Sequence, residues 1–160
     1  MDKIRIGITG YGNLGKGVES GLEQNPDMEL IAVFTRRDPG SIRIRSGNVP
    51  VCSYDKIGSF KDKIDVMILC GGSATDLIEQ TPFVAKMFNT VDSFDTHARI
   101  PEFYNRVNEA ALASKHVSII SVCVTSAFTF LGAAGVFGNV FALTLSLQLL
   151  VPPAFTALTL

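Results

Sequence analysis

The feature that most constrains this chain is a glycine-rich segment, residues 10–15 (GYGNLG), between two apolar runs. Residues 3–9 (KIRIGIT) are typical of a buried strand, and Val18 and Leu22 follow one helical turn apart. Residues 29–34 form a second apolar strand pattern. The spacing G-x-G-x-x-G at this place predicts a βαβ unit whose loop opens the helix.

Each of the three glycines has its own role in the predicted unit. Gly10 permits the tight turn, Gly12 lets a pyrophosphate approach the backbone, and Gly15 lets the helix pack close to the strand. The N-terminus of the helix then offers free N–H groups and a positive dipole end to the phosphates. The segment therefore predicts a dinucleotide site.

The end of the second strand indicates which dinucleotide binds. An acidic residue there would accept hydrogen bonds from a ribose 2′-hydroxyl and repel a 2′-phosphate. Arg36 and Arg37 stand there instead, and guanidinium groups match a dianionic phosphate in charge and geometry. We therefore predict NADP rather than NAD. A solvated surface pair is the alternative explanation of the two arginines.

Strand and helix patterns continue to alternate as far as residue 122. Pro50 suggests an edge position for the weak third strand, and the nearly continuous apolar run that follows suits a parallel strand covered on both faces. The pattern predicts an α/β fold, a doubly wound, Rossmann-type parallel sheet of strand order 3-2-1-4-5-6. The further predicted elements are strands at 49–52, 64–70, 89–92 and 117–122, a loop with capping residues at 71–76 before a helix, and an amphipathic helix at 100–114.

In such a sheet, ligands bind beyond the carboxyl ends of the strands, near the switch in strand order. The loops at those ends are 10–15, 35–37, 70–76 and 92–97, and each is rich in Gly, Ser, Thr, Asp or Arg. Ordinary turn and capping chemistry explains any one of these loops, but explains four in succession less well.

Composition excludes several other classes. The net charge of −1 gives no nucleic-acid footprint. The three cysteines (Cys52, Cys70 and Cys123) lack C-x-x-C spacing and fit a reduced, cytoplasmic protein, and His97 and His116 form no metal motif with them. We therefore expect no metal. The N-terminus shows no signal-peptide pattern.

Charged residues are confined to the first part of this sequence. All 14 Lys and Arg and all 15 Asp and Glu lie in residues 1–115. Residues 127–151 are long enough to cross a bilayer but only moderately apolar, and no charge cluster flanks them. Membrane insertion is therefore the less favoured interpretation, and a tail that packs poorly or covers the sheet edge is favoured.

Several motifs, in order, resemble those of meso-diaminopimelate dehydrogenases. They are Gly-Tyr-Gly-Asn-Leu-Gly (10–15), Asn-Pro-Asp-Met-Glu-Leu (25–30), Phe-Thr-Arg-Arg (34–37), Cys-Gly-Gly-Ser-Ala-Thr-Asp (70–76) and Thr-Val-Asp-Ser-Phe-Asp-Thr-His (90–97). The resemblance covers about residues 1–122. It implies a cytoplasmic, homodimeric oxidoreductase of lysine and cell-wall precursor synthesis. That enzyme carries out reversible NADP-dependent oxidative deamination at the D-centre of meso-2,6-diaminopimelate and releases ammonia.

The resemblance also assigns roles to residues of this chain. It places Tyr11, Gly12, Asn13 and Leu14 at the pyrophosphate, between Gly10 and Gly15, and Thr35, Arg36 and Arg37 at the 2′-phosphate. It places Cys70, Gly71, Gly72 and Ser73 along the ribose and diphosphate, and Ser93, Phe94 and Asp95 at the nicotinamide end.

Two aspartates are the substrate-binding residues that the resemblance implies. Asp95 is expected to grip the reacting amino group, because a carboxylate can orient the ammonium and help to deprotonate it. Asp92 is the second substrate-binding prediction, although support of the loop explains it better than contact with substrate. Loop capping is the alternative for both residues.

The resemblance ends near Ser121. The family continues with a glycine and Trp-Asp-Pro-Gly, but this chain continues Val-Cys-Val-Thr-Ser and has no tryptophan. We therefore predict an NADP-binding domain at 1–121 and an uncharged apolar tail at 122–160, with the family's substrate and dimerisation domain missing. A frame change, a misjoined gene fragment or an altered C-terminus would each produce this pattern. We expect impaired catalysis. The alternative is a non-catalytic NADP-binding module, able to attach to membranes through 127–151.

Overall fold

The structure is a computed structural model that describes residues 3–120. Six strands and three α-helices alternate along this part of the chain, joined by short 3₁₀ turns. The strands are Ile4–Thr9 (β1), Met28–Thr35 (β2), Val51–Ser53 (β3), Val66–Leu69 (β4), Asn89–Asp92 (β5) and Ser118–Ile120 (β6). The helices are Asn13–Glu23 (α1), Ile78–Ala85 (α2) and Ile100–Ala113 (α3).

The strands form one parallel sheet in the order β3-β2-β1-β4-β5-β6. The doubly wound order predicted from the sequence is therefore confirmed. The switch in order lies between β1 and β4, so the carboxyl ends of these two strands diverge into loops on either side of a crevice. β3 is an edge strand, as Pro50 suggested, and the Pro50 carbonyl accepts a hydrogen bond from the Val33 N–H at 3.0 Å.

An apolar stripe on α1 packs against β1 and β2. Leu22 and Tyr11 join Ile6, Ile8 and Val33 in one buried cluster. Burial of each such side chain contributes about 1.5–3 kcal/mol to folding. This packing fixes α1 against the sheet and so holds the start of the helix at the end of β1.

Aromatic side chains make two further contacts in the core. Phe34 of β2 meets Phe60 edge to face, with ring centroids 5.1 Å apart. Phe94, in the loop after β5, stacks on Phe103 of α3 with centroids 3.9 Å apart. The second contact ties the loop after β5 to α3, so that loop is part of the core at Phe94.

The segment after β4 differs from the predicted capped loop. Residues Ser73–Leu77 form a π-helical turn that runs into α2, and no side chain caps its first residue. The Gly72 carbonyl accepts from both the Asp76 N–H at 2.7 Å and the Leu77 N–H at 3.1 Å, which widens the turn. No cap comes from the N-cap residue itself, which is Gly72, but the Asp76 carboxylate accepts from the Gly72 N–H at 3.3 Å.

Part of the sequence interpretation concerns residues outside the described range. These are the end of the last predicted strand at Val122, the boundary at Ser121, Cys123, the tail at 122–160 and the stretch 127–151. Among residues 3–120, none of the helices has the length and apolar character needed to span a bilayer.

Candidate functional site

A cleft of about 220 Å³ lies at the carboxyl ends of β1, β2 and β4. Three of the four predicted loops meet there, so the structure brings the glycine-rich loop, the arginine pair and the loop after β4 together. The cleft is lined by Gly10, Tyr11, Gly12, Thr35, Arg36, Arg37, Cys70, Gly71, Gly72 and Asp76.

The glycine-rich loop needs glycine at two positions for different reasons. Gly10 has φ +87°, and a Cβ there would lie 3.1 Å from the Cys70 carbonyl oxygen. A Cβ on Gly15 would overlap the Gly10 carbonyl oxygen. At Gly12, in contrast, a Cβ would have no neighbouring atom within 4 Å, so the backbone there is open to a ligand.

The first turn of α1 is free to receive an anion. Gly12 precedes the helix with extended backbone, no side chain caps the turn, and no acidic residue lies in it. The leading N–H groups of a helix carry about half a positive charge together, and a phosphate group can accept hydrogen bonds from them. Asn13 and Leu14 are exposed on this turn, as a pyrophosphate contact requires.

The two predicted arginines both line the cleft and are held by contacts with its other residues. Arg37 donates from Nη2 to the Tyr11 carbonyl at 2.9 Å, and its backbone N–H donates to the Thr35 hydroxyl oxygen at 3.1 Å. Arg36 forms an ion pair with Asp76, with Nη2 and Oδ2 2.6 Å apart. Each guanidinium keeps further N–H donors, because five are available on one side chain.

Tyr11 contributes its backbone rather than its ring to the cleft. The side chain is buried, and its hydroxyl donates to the Glu19 carboxylate. Burial and this hydrogen bond raise the pKa of Tyr11 to about 12. The phenol therefore stays protonated and acts as an anchor for the loop.

The loop after β4 forms the floor of the cleft. Burial raises the pKa of the Cys70 thiol to about 12, so the thiol is uncharged at neutral pH. A Cβ on Gly71 would lie 2.9 Å from the Cβ of Asp76, which explains the glycine there. Ser73 donates a hydrogen bond from its hydroxyl to the Asp95 carboxylate. This bond joins the floor to the loop after β5.

Asp92, which ends β5, and the three predicted residues after it occupy different environments. Asp95 is exposed and Ser93 is half-buried. The Phe94 ring is fully buried against Phe103, so its backbone alone faces a ligand. Asp92 is 1% exposed and accepts from the Phe94 N–H at 3.0 Å. Burial raises the pKa of Asp92 to about 6.

The buried position of Asp92 favours support of the loop over contact with substrate. Its Oδ1 closes the turn to Phe94, whereas its Oδ2 has no hydrogen-bond partner among the described residues. The exposed carboxylate of Asp95 can be reached by a ligand, and the Ser73 hydroxyl orients it.

Sequence reasoning missed two acidic residues at this site. Asp76 pairs with Arg36, and Glu19 accepts hydrogen bonds from Tyr11 and from the backbone of Arg45 and Ser46. A charged residue at the i+4 position from Gly15, on the same helix stripe as Leu22, is a signal that could have identified Glu19. In residues 3–120, no group of three His, Cys, Asp or Glu side chains is placed to hold a metal ion.

Comparison with known proteins indicates the same family that the sequence motifs resemble. The meso-diaminopimelate D-dehydrogenase of Ureibacillus thermosphaericus is 66% identical over 122 residues, which are 76% of this chain and 37% of that protein. No protein-family model matches the chain. The resemblance predicted from the sequence motifs is therefore confirmed, and the chain spans little more than a third of the relative's length.

Solved structures agree with this resemblance. A multiply substituted meso-diaminopimelate dehydrogenase from Clostridium tetani, solved with DAP, has a TM-score of 0.67 and 55% identity and covers 74% of this chain and 36% of its own. An engineered D-amino acid dehydrogenase bound to NADP⁺ has a TM-score of 0.74 and 35% identity. The match covers 89% of this chain and 41% of the dehydrogenase chain. This chain therefore shares the fold of the matched portion of these dehydrogenases.

Proposed function

We propose that this chain supplies the NADP-binding portion of a cytoplasmic meso-diaminopimelate dehydrogenase. One observation carries the proposal: the uncapped N-terminus of α1 begins at Gly12, and Gly12, Arg36 and Arg37 line the same cleft. A dinucleotide that carries a 2′-phosphate needs both features, one for its pyrophosphate and one for its ribose phosphate. The names of the similar proteins, one of them solved with NADP⁺, support the same assignment.

The residues around the cleft fit such a cofactor in chemical terms. The backbone from Gly10 to Gly15 would hold the pyrophosphate, because the open space at Gly12 admits it. Thr35, Arg36 and Arg37 would hold the 2′-phosphate, and the segments Cys70–Ser73 and Ser93–Asp95 would line the remainder of the cofactor. When bound, NADP accepts a hydride from the carbon that bears the amino group of the substrate.

Asp95 is the residue of this chain that we propose for the substrate's reacting amino group. Its exposed carboxylate can pair with an ammonium group and orient it, and can accept a proton from it. The hydroxyl of Ser73 holds this carboxylate in place. Asp92 supports Asp95 through the buried turn rather than by contact with substrate.

Cofactor titration tests the proposal. NADPH and NADH are titrated separately into the full 160-residue chain by fluorescence, and we expect a clear NADPH preference. Replacement of both Arg36 and Arg37 by Ala should reduce that preference by about tenfold to a hundredfold, since charged hydrogen bonds to phosphate are lost. Equal affinity of the unaltered chain for the two cofactors would contradict the proposal.

Turnover by these 160 residues is a separate proposal. Hydride transfer requires the reacting carbon to be held against the nicotinamide, and about 63% of the relative's length has no match in this chain, since the matched part is 37%. We therefore propose cofactor binding with little or no deamination of meso-diaminopimelate. Rapid NADP reduction by the purified chain would overturn this.

The alternative is a non-catalytic NADP-binding module, attached to membranes through 127–151 or free of them. This alternative arises because the sequence has no Asp, Glu, Lys or Arg after Lys115. Light scattering of the full chain, with and without lipid vesicles, distinguishes a membrane-attached module from one that is free of membranes. Vesicle binding that is lost when the chain is ended at Ser121 would favour attachment. The same measurement tests whether the chain forms the homodimer that the family resemblance implies.

A further inference from the structure

Asp76 lies beside Arg36 in the cleft. It ends the motif at 70–76, but the sequence analysis gave it no role. The two side chains form an ion pair of 2.6 Å between Nη2 and Oδ2. The Arg36 side chain is 58% exposed, whereas that of Asp76 is 21% exposed. The arginine is therefore the more exposed partner and the aspartate the more sheltered one.

The carboxylate of Asp76 is fixed independently of Arg36. Its Oδ2 accepts from the Gly72 N–H at 3.3 Å, and its Oδ1 accepts from the Thr75 hydroxyl at 3.2 Å. Its Cβ packs over Gly71 so closely that a side chain at Gly71 would not fit. The Gly72 backbone and the Thr75 side chain of the loop after β4 thus hold the carboxylate in one place.

Asp76 is ionised at neutral pH. Burial raises its pKa, but hydrogen bonds from Arg36 and the Gly72 N–H outweigh burial and leave the pKa below the ordinary value of 3.8. A charged and fixed carboxylate can hold one edge of the Arg36 guanidinium by a charge-assisted hydrogen bond. The remaining donors of the fork stay available to a second anion.

We propose that Asp76 is a positioning residue for cofactor specificity, which holds Arg36 ready for the 2′-phosphate of NADP. An exposed arginine samples many rotamers, and ordering it on binding costs affinity. Asp76 reduces that cost before the cofactor arrives. This inference rests on the proposed function, because it assigns the 2′-phosphate to Arg36.

A competing effect of Asp76 would have the opposite sign. If its negative charge mainly neutralised Arg36 or repelled the phosphate, removal of Asp76 would strengthen NADPH binding. The anchoring of Asp76 by Gly72 and Thr75 favours positioning, because the carboxylate keeps its place whether or not Arg36 leaves it.

The test measures NADPH and NADH dissociation constants for the full chain and for Asp76→Ala. We expect the ratio of NADPH to NADH affinity to fall about fivefold, a size set by the small coupling of partly exposed ion pairs. Asp76→Asn keeps an acceptor for Arg36, so the ratio of NADPH to NADH affinity should fall less in that variant. Asp76→Asn also provides the test if Asp76→Ala fails to fold. Glu79→Ala is the matched control, since Glu79 pairs with Arg106 at 2.9 Å on the next turn and does not line the cleft.

A variant cycle with Arg36→Ala separates positioning from general support of the loop. In that background Asp76→Ala should leave the affinity ratio unchanged, because no guanidinium remains to be positioned. The inference is overturned if the ratio of NADPH to NADH affinity is unchanged or increased in the single Asp76→Ala variant. An equal loss of affinity for both cofactors is such an outcome. Failure of the unaltered chain to prefer NADPH overturns the proposed function instead, so the two failures are distinguishable.

Discussion

The hydroxyl of Tyr11, in the glycine-rich loop, donates a hydrogen bond to the carboxylate of Glu19 on α1, and both side chains are buried. Glu19 also accepts from the backbone N–H of Ser46 at 2.8 Å and of Arg45 at 3.1 Å. One buried carboxylate therefore ties α1 to both the loop that precedes it and the segment that follows β2. A charged residue in this position is tolerated because several donors satisfy it.

Glu19→Ala should destabilise the fold by about 2–4 kcal/mol, because its donors lose their acceptor in a buried place. Urea unfolding at pH 7 measures the change. Glu23→Ala is the control from the same helix. Its carboxylate lies 3.6 Å from the Arg45 guanidinium with both side chains largely exposed, and its loss should cost less than about 0.5 kcal/mol. Similar losses for the two variants would contradict this account.

The pH dependence of the Glu19 contribution has a definite sign. Burial raises its pKa, but the hydrogen bonds from Ser46 and Tyr11 outweigh burial and bring the pKa below 4.5. The stabilisation is therefore fully present above the unfolded-state pKa and is lost as the pH falls through the lower, folded-state pKa. The difference in unfolding free energy between the unaltered chain and Glu19→Ala should shrink in acid.

Two glycines in α1 should respond to alanine in opposite directions. Gly15→Ala should cost about 2 kcal/mol or more, because its Cβ would overlap the Gly10 carbonyl oxygen. Gly17→Ala, at an exposed helix position with no atom within 4 Å of its Cβ, should stabilise by about 0.5–1 kcal/mol. Thermal unfolding of the two variants measures both. Tolerance of alanine at Gly15 would show that the loop and helix separate more easily than the structure indicates.

The elements of the sheet were predictable because their causes are local. Apolar runs bounded by turn residues marked each strand, and the predicted strand at 89–92 has the observed bounds, Asn89–Asp92. The glycine spacing then placed the helix after β1, and alternation of strands with helices gave the strand order. The three loops of the cleft meet for the same reason, since parallel strands share one carboxyl edge.

The parts that sequence reasoning missed depend on contacts between distant residues. Asp76 and Arg36 are 40 positions apart in sequence. They share one cleft because the connection from β3 crosses the sheet to β4, which brings the loops after β2 and β4 together. The motif did not indicate that the Phe94 ring packs inward against Phe103, which leaves only the backbone of this predicted cofactor residue to reach a ligand. The π-helical form of the turn after Gly72 was also not predicted, because it depends on the Asp76 and Leu77 N–H groups sharing the Gly72 carbonyl.

The Cys70 thiol should react slowly in the folded protein. Its raised pKa of about 12, caused by burial, leaves very little thiolate at about pH 8. We expect alkylation of Cys70 by iodoacetamide to be at least about tenfold slower in the native chain than in urea. Peptide mass spectrometry at successive times follows this residue alone. Equal rates in the two conditions would mean that the floor of the cleft opens readily.

The last prediction concerns the buried carboxyl of Asp92. Burial raises its pKa from 3.8 to about 6, so the folded state holds its proton more tightly than the unfolded state. Between those two values the folded state binds more protons, and stability therefore falls as the pH rises through this window. Above about pH 6 the charged form carries the full penalty, on the order of 2–3 kcal/mol.

Asp92→Asn removes that charge but keeps an acceptor for the Phe94 N–H, so it should stabilise the chain at pH 7.5 by about 1–2 kcal/mol. At pH 4.5 the two chains should be nearly equal, because Asp92 is then protonated. Asp27→Asn, at an exposed turn position, is the control for loss of a carboxylate in general. Urea unfolding at both pH values checks the result. A less stable Asp92→Asn at pH 7.5 would mean that the charged carboxylate holds the turn that presents Asp95, and that its unpaired Oδ2 has a partner in solution.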